Sequence, residues 1–144
     1  MLLEVRDLEV KYGKAKALDG ISLHVEKGEI VSIVGANGAG KTTLLRTISG
    51  LKKPASGEIS FQGKRIDGLP AHRIVKLGIV QIPAGRMLFA PMSVLDNLKT
   101  GACLRHDREQ IKRDLQMVYN YFPVLEERKS QLAGQLSGGQ QQML

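Results

Sequence analysis

"EIVSIVGANGAGKTTLLRTISG", residues 29–50, is the stretch that decides the fold. Its opening, "EIVSIV" at 29–34, is nearly all apolar and β-branched, the composition of a strand buried on both faces. It runs straight into Gly35-Ala36-Asn37-Gly38-Ala39-Gly40-Lys41-Thr42, which fits G-x-x-x-x-G-K-[ST]. Residues from Lys41 onward read as a helix closed by Gly50 just past its C-terminus. Strand, glycine-rich loop and helix in that order are the context in which this pattern cradles phosphate. Glycines allow positive φ and let backbone N–H groups converge on phosphate oxygens without Cβ interference. The helix N-terminus adds its positive dipole end. Lys41 supplies a mobile cation for the outer phosphates, and Thr42 a hydroxyl for Mg²⁺. Residues 35–42 together with Thr43 are therefore the candidate nucleotide-binding set, and the motif makes the chain a P-loop protein.

Outward from this core, the sequence predicts strands on both sides. Leu3, Val5, Leu8 and Val10 broadly alternate, and "ISLHV" (21–25) alternates strictly. "EKG" at 26–28 is a turn. "GEISFQG" (57–63) and "IVQI" (79–82) read as further strands. "PAHRIVKLG" is a short helix, with Pro70 suited to its first turn and Gly78 at its end. From Met92 the character becomes helical, and in "EQIKRDLQMVYNYF" the residues Ile111, Leu115, Val118 and Phe122 form one apolar stripe. The predicted architecture is α/β: a β-rich, P-loop layer over 1–91, a helical subdomain over 92–136, and the start of another helix at 137–144.

Composition limits the alternatives. A chain of 144 residues suits one domain, and 42% hydrophobic with 24% charged residues is ordinary for a globular protein. No apolar run approaches the ~20 residues needed to cross a bilayer. Glu4, Arg6 and Asp7 interrupt the N-terminus, unlike a signal peptide. One cysteine, Cys103, excludes an intramolecular disulfide and fits a reducing, cytosolic compartment. The net charge of +7 raises the question of nucleic acid. The basic residues are dispersed, however, and the densest run, "RHDREQIKRD" (105–114), mixes both signs as a solvated helix face does. With three Phe, three Tyr and no Trp, stacking platforms for single strands are scarce. No nucleic-acid partner is expected.

The chain ends in "QLSGGQQQML" (135–144). In isolation, Ser137 is a good N-cap, with Gly138 and Gly139 exposing the first N–H groups of a helix. In combination with the P-loop, Leu136-Ser137-Gly138-Gly139-Gln140 resembles the signature motif of the nucleotide-binding subunits of ABC transporters. That resemblance spans essentially the whole chain. It implies two ATP molecules sandwiched in a head-to-tail dimer, the signature of one subunit covering the γ-phosphate held by the P-loop of the other. It implies ATP and Mg²⁺ as ligands, with Thr42 on the metal. A second ATP-binding subunit, identical or not, and transmembrane permease subunits are the implied partners, at the inner face of the cell membrane. Tyr12, in "VKYG", matches the aromatic residue that stacks on adenine, and "MSVLDNL" (92–98) matches the segment leading into the subdomain that docks on the permease. "PAHRIVKLGIV", "PAGRMLF" and the stretch from 112 to 144 further resemble the ATP-binding subunit of branched-chain amino-acid importers. Urea-type importers share much of this wording.

Two positions depart from the family pattern. Where most members carry the Q-loop glutamine, in line with Mg²⁺ and the attacking water, this chain has Ala84, which offers no ligand atom. Gln81 is three residues away along an extended segment, on the opposite face. No acid follows an apolar strand-like run as the Walker B glutamate does, and His24, His72 and His106 all precede the signature, so none matches the switch histidine. The resemblance therefore implies a chain that looks truncated after the signature, binds ATP and is catalytically incomplete. Two other classes are open: a short nucleotide-binding module without turnover, and an ATPase acting on nucleic acid or ribosomes. The second of these lacks the tandem cassettes or coiled-coil insertions usual for it.

Overall fold

β1 (Leu3–Tyr12) turns through Gly13 and Lys14 into β2 (Ala15–Val25), and the two pair antiparallel from Leu3 opposite Val25 to Tyr12 opposite Ala15. β3 (Ser56–Phe61) adds to the other edge of β1, and the two-residue β4 (Lys64–Arg65) to β3, giving the order β2-β1-β3-β4. The broken alternation of Leu3, Val5, Leu8 and Val10 has a local cause. Register shifts fall between Val5 and Leu8 on the β2 side and between Arg6 and Glu9 on the β3 side, and Asp7 takes a left-handed φ of 44°. An extra residue at a bulge reverses the facing of everything after it. Val5, Leu8 and Val10 all reach the core in consequence. β2 begins six residues earlier than "ISLHV", because the two-residue turn forces pairing from Ala15 onward.

The structure, a computed structural model, describes residues 1–85 and 87–144 and divides into two units, Met1–Gln81 and Ile82–Leu144. In the first, α1 (Lys41–Ile48) lays Leu44 and Ile48 into the core formed by Val5, Leu8, Val10, Leu18, Ile59 and Ile66. Its end is a Schellman closure: Gly50 N–H donates to Thr47 O (3.1 Å) and Leu51 N–H to Arg46 O (2.9 Å), with Gly50 at φ 72°. α2 (Ala71–Lys76) follows Pro70 and buries Ile74. The unit boundary lies ten residues upstream of the change of character at Met92.

Two expected strands do not form. Residues 29–34 and 79–82 carry no strand pairing, and Ile30 and Val34 are 95% and 92% exposed, Val80 and Ile82 72% and 82%. A strand buried on both faces needs partners on its edges and layers above and below. Among the described residues no strand supplies them. Composition marked these segments correctly as apolar and β-branched, but pairing is a property of the neighbour.

The second unit is helical: α3 (Val94–Gly101), α4 (Arg108–Tyr121), α5 (Pro123–Glu127), a single 3₁₀ turn at Ala133–Gln135, and α6 (Gly138–Met143). Val94, Tyr119, Leu125 and Leu136 form its core, with Leu98, Leu115 and Val118 packed on them. The predicted stripe is corrected at its end. Tyr119 is buried whereas Phe122 is exposed, because α4 stops at Tyr121 and Phe122 sits at φ −133°. Pro123 disfavours the helical region for the residue before it, which turns Phe122 off the stripe.

Candidate nucleotide site

The glycine-rich loop forms a shallow cavity of about 230 Å³ lined by Ala17 and residues 37–43. α1 starts without a side-chain cap, its N-cap being Gly40 at φ 89°. The first N–H groups of a helix have no intrahelical acceptor, so those at the start of α1 are left facing the cavity mouth. A Cβ on Gly40 would come within 2.7 Å of the Ala17 carbonyl oxygen and closer still to the Leu18 side chain. Glycine is therefore required here twice over, by its φ and by the close approach of β2. Lys41 folds back over the loop: Nζ donates to the carbonyl oxygens of Gly35 (2.6 Å) and Ala36 (2.8 Å). The loop itself is closed by Ala39 N–H donating to Ala36 O at 3.1 Å. The product is an exposed rim of backbone donors with a cation held at its edge by neutral acceptors, an arrangement that attracts a polyanion.

Ala17 is a lining residue that sequence reasoning missed. The readable signal was the Gly13-Lys14 turn, which brings the start of β2 back alongside β1. That hairpin also places Tyr12. It pairs with Ala15, two residues from Ala17 on the same strand. Tyr12 and the lining residue Ala17 are thus carried by the same hairpin. Tyr12 is 46% exposed, and the ammonium of Lys52, a second residue that no motif singles out, lies 4.3 Å above its ring centroid.

The other predicted residues belong to the helical unit. Leu136 is part of that unit's core, while Ser137, Gly138 and Gly139 are exposed at the start of α6. Ser137 and Gln140 cap reciprocally: Ser137 Oγ accepts the Gln140 N–H (3.3 Å) and Gln140 Oε1 accepts the Ser137 N–H (3.1 Å). Ala84 is exposed in a turn with Gly85, and Arg86 of the same motif lies outside the described residues. Gln81, in the first unit, has a buried Oε1 with no hydrogen-bond partner among the described residues. No group of three or more His, Cys, Asp or Glu stands close enough to hold a metal among the described residues. No described helix is long and apolar enough to cross a membrane.

The comparisons with known proteins agree on one family. The high-affinity branched-chain amino acid transport ATP-binding protein BraG of Pseudomonas aeruginosa is 42% identical over 99% of this chain and 61% of its own length. The probable branched-chain amino acid transport ATP-binding protein LivF of Archaeoglobus fulgidus is 36% identical over 99% of this chain and 60% of its own. Among solved structures, an ATP-binding subunit of an ABC transporter superposes with a TM-score of 0.86 at 31% identity, over 99% of this chain and 59% of the other. A dimeric ATP-binding cassette in a post-hydrolysis state, with ADP and Pi bound, gives 0.79 at 26% identity, over 99% and 66%. The chain thus spans about 60% of the length of the curated relatives it matches. The ABC transporter family model covers residues 18–144, from the strand that floors the phosphate loop to the capped helix at the end of the chain, and over that span this protein belongs to the ABC transporter family, in the fold of its ATP-binding cassettes.

Proposed function

We propose that this chain binds ATP through residues 35–43 with Tyr12 against the adenine, and that it serves an ABC importer of branched-chain amino acids. The observation that carries the reading is the loop itself: uncapped helix N–H groups, a glycine-only approach to β2, and Lys41 parked on two backbone carbonyls. Incoming phosphate oxygens compete for the ammonium and for the free N–H groups together. Base stacking on Tyr12 contributes about 1–3 kcal/mol. The solute assignment rests on the names carried by the relatives, since no residue here faces a transported molecule.

The donor set fits Mg²⁺ in one respect. Thr42 is exposed at the first turn of α1 and its hydroxyl forms no hydrogen bond among the described residues, so one hard oxygen is available. Mg²⁺ is commonly held by few protein oxygens with phosphate and water completing its shell. Bound there, the ion would neutralise phosphate charge. The protein's own part is to orient the phosphates by N–H groups and Lys41. Ser137, Gly138, Gly139 and Gln140 would meet the nucleotide of a second ATP-binding subunit, and permease subunits would complete the importer at the inner face of the membrane.

A second reading, nucleotide binding without turnover, is supported by Ala84, which offers no ligand atom where the family pattern carries the Q-loop glutamine. One experiment serves both. Titration calorimetry of the 144-residue chain is expected to show saturable Mg-ATP binding that Lys41→Ala weakens at least tenfold, with phosphate release no faster than that of Lys41→Ala. Unchanged affinity in Lys41→Ala would sink the site. A fast turnover abolished by Lys41→Ala would sink the second reading.

A further inference from the structure

Lys52 stands where a free surface lysine would gain nothing by staying. Its Nζ sits 4.3 Å over the centroid of the Tyr12 ring, and among the described residues it enters no ion pair. Both partners stand on fixed backbone. The Lys52 N–H donates to Arg46 O at 3.2 Å, joining the closure of α1, and Ala55 N–H donates to Glu9 O at 2.7 Å, tying the same connection to β1 three residues before Tyr12. The ammonium covers one face of the ring. Tyr12 as a whole is 46% exposed, so part of the residue remains accessible beside the ammonium.

We infer that Lys52 is a positioning residue for the nucleotide base: it clamps the Tyr12 ring by a cation–π contact on one face so that the other face is presented, pre-oriented, to adenine. The inference rests on the proposed stacking of adenine on Tyr12. A ring at the end of a hairpin otherwise samples several rotamers, and ordering it on binding subtracts from stacking. The clamp moves that ordering into the free protein. An exposed cation–π pair limits the effect to about two- to fivefold in affinity.

The test is ATP titration of the full chain and a double-mutant cycle. Lys52→Ala is expected to weaken ATP two- to fivefold, Lys52→Arg to restore it, and Lys52→Ala to have no further effect in a Tyr12→Ala background. Tyr12→Phe keeps the ring face and should keep the sensitivity to Lys52→Ala. Unchanged or tighter binding in Lys52→Ala, while Tyr12→Ala weakens it, overturns the clamp and leaves the stacking. An equal loss from Lys52→Ala in the Tyr12→Ala background also overturns it, since the lysine would then act as a distant charge on the phosphates. No effect of Tyr12→Ala overturns the stacking and the clamp with it.

Discussion

Asp67 collects three hydrogen bonds on one largely buried carboxylate. Oδ1 accepts from the Ile59 N–H (3.2 Å) and from Arg65 Nε (2.8 Å), and Oδ2 accepts from Arg65 Nη2 (3.2 Å). Arg65 reaches on to Glu58 Oε1 at 2.8 Å, so β3, β4 and the chain after them share one network. Burial alone would raise the pKa of Asp67, but the Arg65 guanidinium and the backbone donors outweigh it and hold it below the usual carboxylate range. Lowering a carboxyl's folded pKa means its stabilisation is full above its unfolded value, ~3.9, and is lost as pH falls through the folded one. Asp67→Asn is therefore expected to lose about 1 kcal/mol at neutral pH. The gap in melting temperature between it and the parent should close as pH is taken from about 5 to 3. Circular-dichroism melts over that range check it, and a gap that widens in acid would refute the assignment. Lys52 shows the opposite case at this scale. Nothing in "GLKKP" sets its first lysine apart from its second, because a cation–π pair depends on where a hairpin end and a helix end meet, forty residues apart in sequence.

Elements written by local rules were legible, and so were β1, β2 and β3 as strands, but which apolar runs would find a partner was not. α1 announces itself completely, from a glycine-rich start through Leu44 and Ile48 on one face to Gly50 at its end. Gly50 illustrates how strongly such a local rule binds. A Cβ there would meet Ile74 Cδ1 and the Leu69 carbonyl oxygen, each at 2.8 Å, on a backbone at φ 72°. Gly50→Ala should cost about 2 kcal/mol or more, through left-handed strain and that contact together. Chemical denaturation should show a lower midpoint with the slope unchanged. A loss of only a few tenths would mean that α2 shifts freely away from α1. The stripe on α4 was legible for three of its four positions and failed at Phe122, where Pro123 ended the helix before the period was completed. The capping pair of Ser137 and Gln140 was half legible: the serine reads as a cap, whereas the reciprocal bond from the glutamine depends on side-chain geometry. The segments at 29–34 and 79–82 mark the limit of such reading, since an apolar β-branched run specifies a willingness to pair but not a partner.

Those two segments give the molecule its main physical liability. Ile30 and Val34 are almost wholly in water on a stretch with no strand pairing, and Val80 adds further apolar surface in the same unit. Exposed apolar, β-branched chain with unpaired N–H and C=O groups is a template for edge-to-edge association. The solved ATP-binding cassettes that this protein resembles are longer than this chain, which covers 59–66% of them. For the 144-residue chain the expected outcome is concentration-dependent self-association. Replacing Ile30 and Val34 by lysine removes no packing, because neither side chain is packed, and charged edge residues oppose strand addition. The Ile30→Lys, Val34→Lys double variant should melt within about 0.5 kcal/mol of the parent in dilute solution. It should sediment as a monomer at concentrations where the parent forms larger species, and keep the ATP affinity conferred by residues 35–43. Sedimentation velocity across a concentration series decides the matter. If parent and variant are equally monomeric at the highest concentration, the exposed run is not the surface through which this molecule associates, and the apolar side chains at 30 and 34 do not make it sticky.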